Sequence, residues 1–185
     1  MTRILALDPA TVIGWSLYDT ENPISAIQCG SITLEGKGAF EKVKSVRQLL
    51  PKLIREHQPD FIVFETPLSH IPQYEKKGKA DMLGNEQVST TINAGTILQL
   101  NRISGAVQAV IEGFNIPCEE VRPMTWQTVI PKKIKGGTKD RVRQFCDMFN
   151  IIGKNADARD AAVIALWAAG RSQVLKLEKN AGRAA

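Results

Sequence analysis

The sequence predicts a single α/β domain built on a mixed five-stranded sheet, three antiparallel strands and then two parallel ones, flanked by helices. Three observations carry this. Ile4-Leu5-Ala6-Leu7-Asp8-Pro9 and Phe61-Ile62-Val63-Phe64-Glu65 are short apolar runs without polar alternation, the pattern of strands buried on both faces. Helical periodicity fills the interval between them, and a strand–helix–strand crossover makes the two strands parallel. After the first run come two segments joined by short turns, which read as an antiparallel meander.

In order, Pro9 stops the first strand because it has no N–H to donate. Thr11 to Ile13 reads as a tight connection, and Gly14 to Asp19 alternates like a strand. Asp19 to Pro23 has turn chemistry, and Ser25 to Leu34 is the third strand. Gly36 to Gly38 ends it. Phe40, Val43, Val46, Leu50, Leu53 and Ile54 recur at helical spacing up to about His57, with Pro51 predicting a kink or a break. The strand at 61–65 follows Pro59.

Ser69 to Thr91 has no clear period, and a stretch of that length inside a compact domain is usually functional or mobile. Ala94 to Gly113 returns to helical spacing, Ile116 to Val121 is a short strand, and Pro123 to Val129 suits a helical turn carrying Trp126. A basic loop spans Pro131 to Gly137. Thr138 is the expected N-cap of a helix through Val142, Phe145, Met148 and Phe149. Asn155 is the expected N-cap of a last helix, Ala156 to Ala169, closed by Gly170. The domain is expected to cover 1–170, and 171–185 to form a basic, flexible tail.

A chain of 185 residues can bury about 70% of its unfolded surface, enough for one core. The net charge of +5 permits a polyanionic partner without demanding one. Cys29, Cys118 and Cys146 are odd in number and far apart, with no zinc-type spacing, and His57 and His70 are the only imidazoles. A reduced, cytoplasmic location fits this usage, host cytoplasm if the source is viral. The apolar runs are too short to span a membrane, and Asp8 interrupts the amino-terminal one, so neither a span nor a signal peptide is expected.

The chemistry lies in the carboxylates. Asp8 and Glu65 both end buried-type strands, and open α/β sheets place their sites at the carboxyl ends of strands. Asp8-Pro9 taken alone reads first as a turn opener. If the two strands are neighbours, the two carboxylates emerge at one edge. Asp157 and Asp160 are three apart on the last helix, on a side that continues through Ile164 and Trp167 toward the sheet. Asp157 alone could simply complement the helix dipole. Asp160 lies on the apolar stripe, where an unpartnered carboxylate costs several kcal/mol, and a cation shared with Asp8 and Glu65 would resolve that cost. Four oxygen ligands without Cys or His suit Mg²⁺ or Mn²⁺. Two such ions about 4 Å apart can clamp an in-line phosphoryl displacement.

The stretches 4–15 (Ile-Leu-Ala-Leu-Asp-Pro-Ala-Thr-Val-Ile-Gly-Trp), 62–65 (Ile-Val-Phe-Glu) and 155–165 (Asn-Ala-Asp-Ala-Arg-Asp-Ala-Ala-Val-Ile-Ala) resemble the three acidic motifs of RuvC-type Holliday-junction resolvases. Order, spacing and the strand–strand–helix setting all match, from about residue 3 to 170. The resemblance implies a ribonuclease H-like fold, with Asp8, Glu65, Asp157 and Asp160 as the metal-binding and catalytic set. It implies a homodimer that resolves four-way DNA junctions by paired symmetric nicks with two Mg²⁺ or Mn²⁺ ions per site. Lys139 matches the basic residue that the family tends to carry ahead of its final acidic helix. In the family the 69–91 region presents an aromatic side chain to the junction centre, and Tyr74 is the candidate for that role. The chain departs from the pattern at Ala10, where the family usually has glycine, at Trp126, where some members have lysine, and in a longer 69–91 segment.

Lys132, Lys133, Lys135, Lys139, Arg141 and Arg143 cluster within twelve residues, opposed only by Asp140. Such a run is ordinarily a solvated face; beside a phosphate-cutting site it becomes a candidate for DNA-backbone contact. Lys76, Lys77 and Lys79 could act likewise, and Tyr74 could stack on an unpaired base or simply pack. The 94–110 helix is apolar on more than one side, which suits a dimer interface or burial equally. The reading is a structure-selective endodeoxyribonuclease leaving 5′-phosphate and 3′-hydroxyl ends. Its rivals are a broader fork or flap nuclease, an actin-like ATPase and a non-catalytic junction-binding protein. The ATPase would need a second glycine-rich phosphate loop and a second lobe, and the binding protein would not need four carboxylates.

Overall fold

The structure is a computed structural model and describes residues 2–66, 75–77, 88–90 and 94–181. Strand β1 (Arg3–Asp8) lies at the centre of the sheet, and its Ile4, Leu5, Ala6 and Leu7 are completely buried. Burying each large aliphatic side chain contributes roughly 1.5–3 kcal/mol, which is why an apolar run takes the middle position. β2 (Val12–Asp19) and β3 (Gln28–Thr33) add to one side in antiparallel fashion. β4 (Phe61–Glu65) and β7 (Cys118–Val121) add to the other side in parallel. The order β3-β2-β1-β4-β7 is the expected mixed sheet of three antiparallel and two parallel strands.

Helices cover both faces. α1 (Ala39–His57) and α2 (Ala94–Glu112) pack on the face that carries Leu5, Leu7, Ile62 and Phe64. α3 (Pro123–Trp126), α4 (Thr138–Met148) and α5 (Ala156–Ala181) pack on the face that carries Ile4, Ala6 and Val63. Side chains alternate along a strand, so Asp8 and Glu65 continue the Ile4-Ala6 and Val63 series onto the α5 face.

On that face the touching surfaces are small. β2 offers Gly14 and Ser16, and α5 offers Ala158, Ala161, Ala162 and Ala165, all buried. The buried Ser16 hydroxyl donates to the Ala161 carbonyl at 2.8 Å and ties helix to strand. A Cβ on Gly14 would overlap the Asp157 backbone carbonyl, so the first turn of α5 rests directly on the sheet.

Several expected boundaries move. β2 begins at Val12, so part of the expected 11–13 connection is strand, and β3 is shorter than 25–34 because Ile24–Ala26 forms a 3-10 turn. α1 runs through Pro51 without the expected break. The hydrogen bond missing there is one to the carbonyl of Arg47, an exposed residue whose surroundings offer water instead. The N-cap of α4 is Gly137 rather than Thr138, which is the first helical residue. Asn155 caps α5 as expected, its Oδ1 accepting the Ala158 N–H at 2.9 Å. Gly170 does not close α5; the helix continues to Ala181 because Arg171 to Lys179 are good helix formers and contain no breaker. Within the 69–91 segment, β5 (Glu75–Lys77) and β6 (Val88–Thr90) form a short antiparallel ribbon. Among the described residues no helix is long and apolar enough to cross a membrane.

Candidate active site

Asp8 closes β1 and pairs across the ladder with Gly14 of β2. On its other side Leu7 pairs with Phe64, which brings Asp8 and Glu65 side by side at the carboxyl ends of two parallel strands. Asp157 and Asp160 come from the first turns of α5, pressed against the same edge by Gly14. One carboxylate oxygen each from Asp8, Asp157 and Asp160 lie within 4.8 Å of one another. Glu65 stands beside this group rather than inside it. Its Oε2 accepts the indole N–H of the buried Trp126 at 2.5 Å.

The electrostatics show what the cluster lacks. Burial, and then the charges of Glu65, Asp160 and Asp157, push Asp8 up to about 8, against a downward pull from Lys139. Burial lifts Glu65 to about 7 with a smaller contribution from Asp160, and the Trp126 hydrogen bond opposes it. Burial and Asp157 lift Asp160 to about 6, again against Lys139. Packed carboxylates resist ionising together because each charge loses water and meets its neighbours. Asp160 Oδ1 is moreover buried without a hydrogen-bond partner among the described residues. A carboxylate oxygen without a donor, beside two further carboxylates and with no thiolate or imidazole in the cluster among the described residues, fits a hard divalent cation.

The other predicted residues fall into three groups. Lys139, in the first turn of α4, is exposed yet close enough to act on both Asp8 and Asp160. Lys132, Lys133 and Lys135 are exposed on the loop before α4. Arg141 instead reaches back to the Ile130 carbonyl at 3.4 Å, and Arg143 pairs with Asp140 at 3.4 Å on the surface. Lys76 and Lys77 lie on the β5 strand. Tyr74 and Lys79 lie outside the described residues.

Two residues of the site are not evident from the sequence pattern. Trp126 stands out there only as a departure from a family pattern, and nothing in its neighbourhood announces a partner 61 positions away. Gly14 looks like the start of a strand. A glycine inside an alternating strand is nonetheless a signal of close backbone approach, and that signal could have found it.

No family model matches the chain. A curated relative, the crossover junction endodeoxyribonuclease RuvC of Rickettsia africae (strain ESF-5), is 25% identical over 171 residues, 88% of this chain and 93% of that protein. Among solved structures, T. thermophilus RuvC in complex with a Holliday junction substrate superposes with a TM-score of 0.64 at 12% identity, covering 94% of this chain and 96% of that one. The yeast mitochondrial Holliday junction resolvase Ydc2 superposes with a TM-score of 0.60 at 14% identity, covering 100% of this chain and 86% of that one. The fold is therefore ribonuclease H-like, and the resemblance to RuvC-type Holliday-junction resolvases is borne out along nearly the whole chain.

Proposed function

We propose that this protein is a metal-dependent endodeoxyribonuclease that resolves four-way DNA junctions by paired symmetric nicks. The observation that carries the reading is the convergence of Asp8, Asp157 and Asp160 within 4.8 Å, together with an Asp160 Oδ1 that has no hydrogen-bond partner among the described residues. The relatives support it, since the curated one is named a crossover junction endodeoxyribonuclease and a solved one holds a Holliday junction.

Asp8, Asp157 and Asp160 would hold one Mg²⁺ or Mn²⁺, and Glu65, beside Asp8, would help to hold a second. Cations bound there would supply Lewis acidity toward a phosphodiester and toward the attacking water, leaving 5′-phosphate and 3′-hydroxyl ends. The chain's own part is positional and electrostatic. β1 and β4 aim two carboxylates from one sheet edge, and α5 closes over them from the sheet face. Lys139 offers a charge to the substrate phosphate from the same side, and the exposed Lys132, Lys133 and Lys135 extend a positive track for the backbone. Paired nicks require two sites, so the working unit would be a homodimer. Residues 1–170 would be the nuclease unit, 171–185 a basic tail, and the cytoplasm the place of action.

The test compares a mobile four-way junction, a flapped duplex and a plain duplex at matched concentration in Mg²⁺. Symmetric, religatable cuts confined to the junction are expected. Equal cutting of flap and junction would replace the reading with a broader branched-DNA nuclease, and no cutting of any substrate would overturn it.

A further inference from the structure

Glu65 is held from two directions. Its neighbour Thr66 donates its backbone N–H to the Val121 carbonyl at 2.9 Å, which fixes the end of β4 on β7. Its carboxylate is then held from α3, where Trp126 donates to Oε2 at 2.5 Å. Trp126 is only 2% exposed and packs in the core with Val121, Ile130, Val142 and Phe145, so the indole is not free to follow the carboxylate. An indole N–H is a donor only and must find an acceptor when buried. Here the acceptor is the Oε2 atom of Glu65. The contrast is with Asp160, whose Oδ1 has no donor among the described residues.

We propose that Trp126 is a positioning residue for the metal centre, holding Glu65 by Oε2 so that Oε1 alone is presented to a cation. This rests on the metal-dependent nuclease reading above. Trp126 touches neither cation nor DNA and acts only through Glu65. A clamped, one-oxygen ligand loses less freedom on binding a cation than a carboxylate that must first choose a rotamer. The clamp also keeps Glu65 from turning both oxygens toward one ion.

The test is a cycle of metal affinities measured without DNA, by calorimetric titration of the metal-free protein with Mg²⁺ and with Mn²⁺. Trp126→Phe keeps an aromatic ring in the core and removes the N–H. Its dissociation constant should rise about tenfold or more, the effect of losing a hydrogen bond to a charged group. In a Glu65→Ala background the same substitution should change nothing further. Unchanged affinity in Trp126→Phe, or an equal loss in both backgrounds, overturns the proposal, since a packing role would act regardless of Glu65. If Trp126→Phe does not fold, the native chain answers through its indole ¹⁵N–H resonances, assigned with Trp15→Phe and Trp167→Phe. The Trp126 resonance should be protected from exchange and should move on saturation with Mg²⁺, and a resonance that stays put overturns the clamp. A wild-type chain that binds no Mg²⁺ or Mn²⁺ overturns both readings, whereas one that binds metal but cuts no junction counts against the nuclease reading alone.

Discussion

Gly14 of β2 touches the backbone carbonyl of Asp157 at the start of α5, with no room between them for a single methyl group. Gly14 is also the ladder partner of Asp8. One glycine therefore sets the distance between the carboxylate at the end of the central strand and the two on the helix. Gly14→Ala must push the first turn of α5 off the sheet. We expect a loss of about 1–3 kcal/mol of stability, read as a lower Tm, the usual cost of forcing a methyl into a packed interior. Mg²⁺ affinity should fall with it. A variant with wild-type metal affinity would show that α5 has another way to reach Asp8.

Stability of the metal-free protein should depend on pH in an unusual sense. Asp8 ordinarily titrates near 3.8 and is pushed up to about 8 in the folded chain. Between those values the folded protein keeps a proton that the unfolded chain releases. Stability from this group is therefore full below about pH 4 and is lost as pH rises through about 8. Glu65, raised to about 7, and Asp160, raised to about 6, act in the same sense. Metal-free Tm should be higher at pH 5 than at pH 8, and saturating Mg²⁺ should raise Tm more at pH 8. Thermal melts at both pH values, with and without Mg²⁺, check this; a metal-free Tm that rises with pH would contradict it.

Asp8→Asn separates two roles of one side chain. It removes a buried charge repelled by three carboxylates, so metal-free Tm at pH 8 should rise. It also removes a cation ligand, so the stabilisation by Mg²⁺ should shrink and junction cleavage should fall below detection while junction binding persists. Melting curves, a gel-shift assay and a cleavage assay on one preparation decide it, and cleavage at the wild-type rate would sink the metal assignment.

The three exposed loop lysines should matter more for DNA than the two neighbouring arginines. Arg141 is turned back onto the Ile130 carbonyl and Arg143 onto Asp140. Lys132, Lys133 and Lys135 are exposed on the loop before α4. Replacing the three lysines by alanine should flatten the log–log salt dependence of junction binding by about 0.9 for each phosphate that is no longer neutralised. An unchanged slope would remove this loop from the interface.

Strand identity, sheet direction and the three acidic motifs could be read from the chain because they are local. An unalternating apolar run such as Ile4 to Leu7 admits few positions other than the centre of a sheet. A crossover connection makes its partner parallel, and Asn155 announces its helix by its own side chain. The face of the sheet to which Asp8 and Glu65 point also follows from alternation once the neighbours are known.

What tertiary structure alone decided is closeness. Pro51 sits inside a helix because the packing of its neighbours Leu50, Leu53 and Ile54 outweighs one unfavourable propensity. The approach of Gly14 to Asp157, and the hydrogen bond from Trp126 to Glu65, join positions far apart in sequence through atoms that each look ordinary in place. The sequence named the carboxylates by their positions at strand ends and on a helix turn. Only packing brought three of them within 4.8 Å and gave the fourth a neutral donor, because distances of that order depend on how small the intervening side chains are.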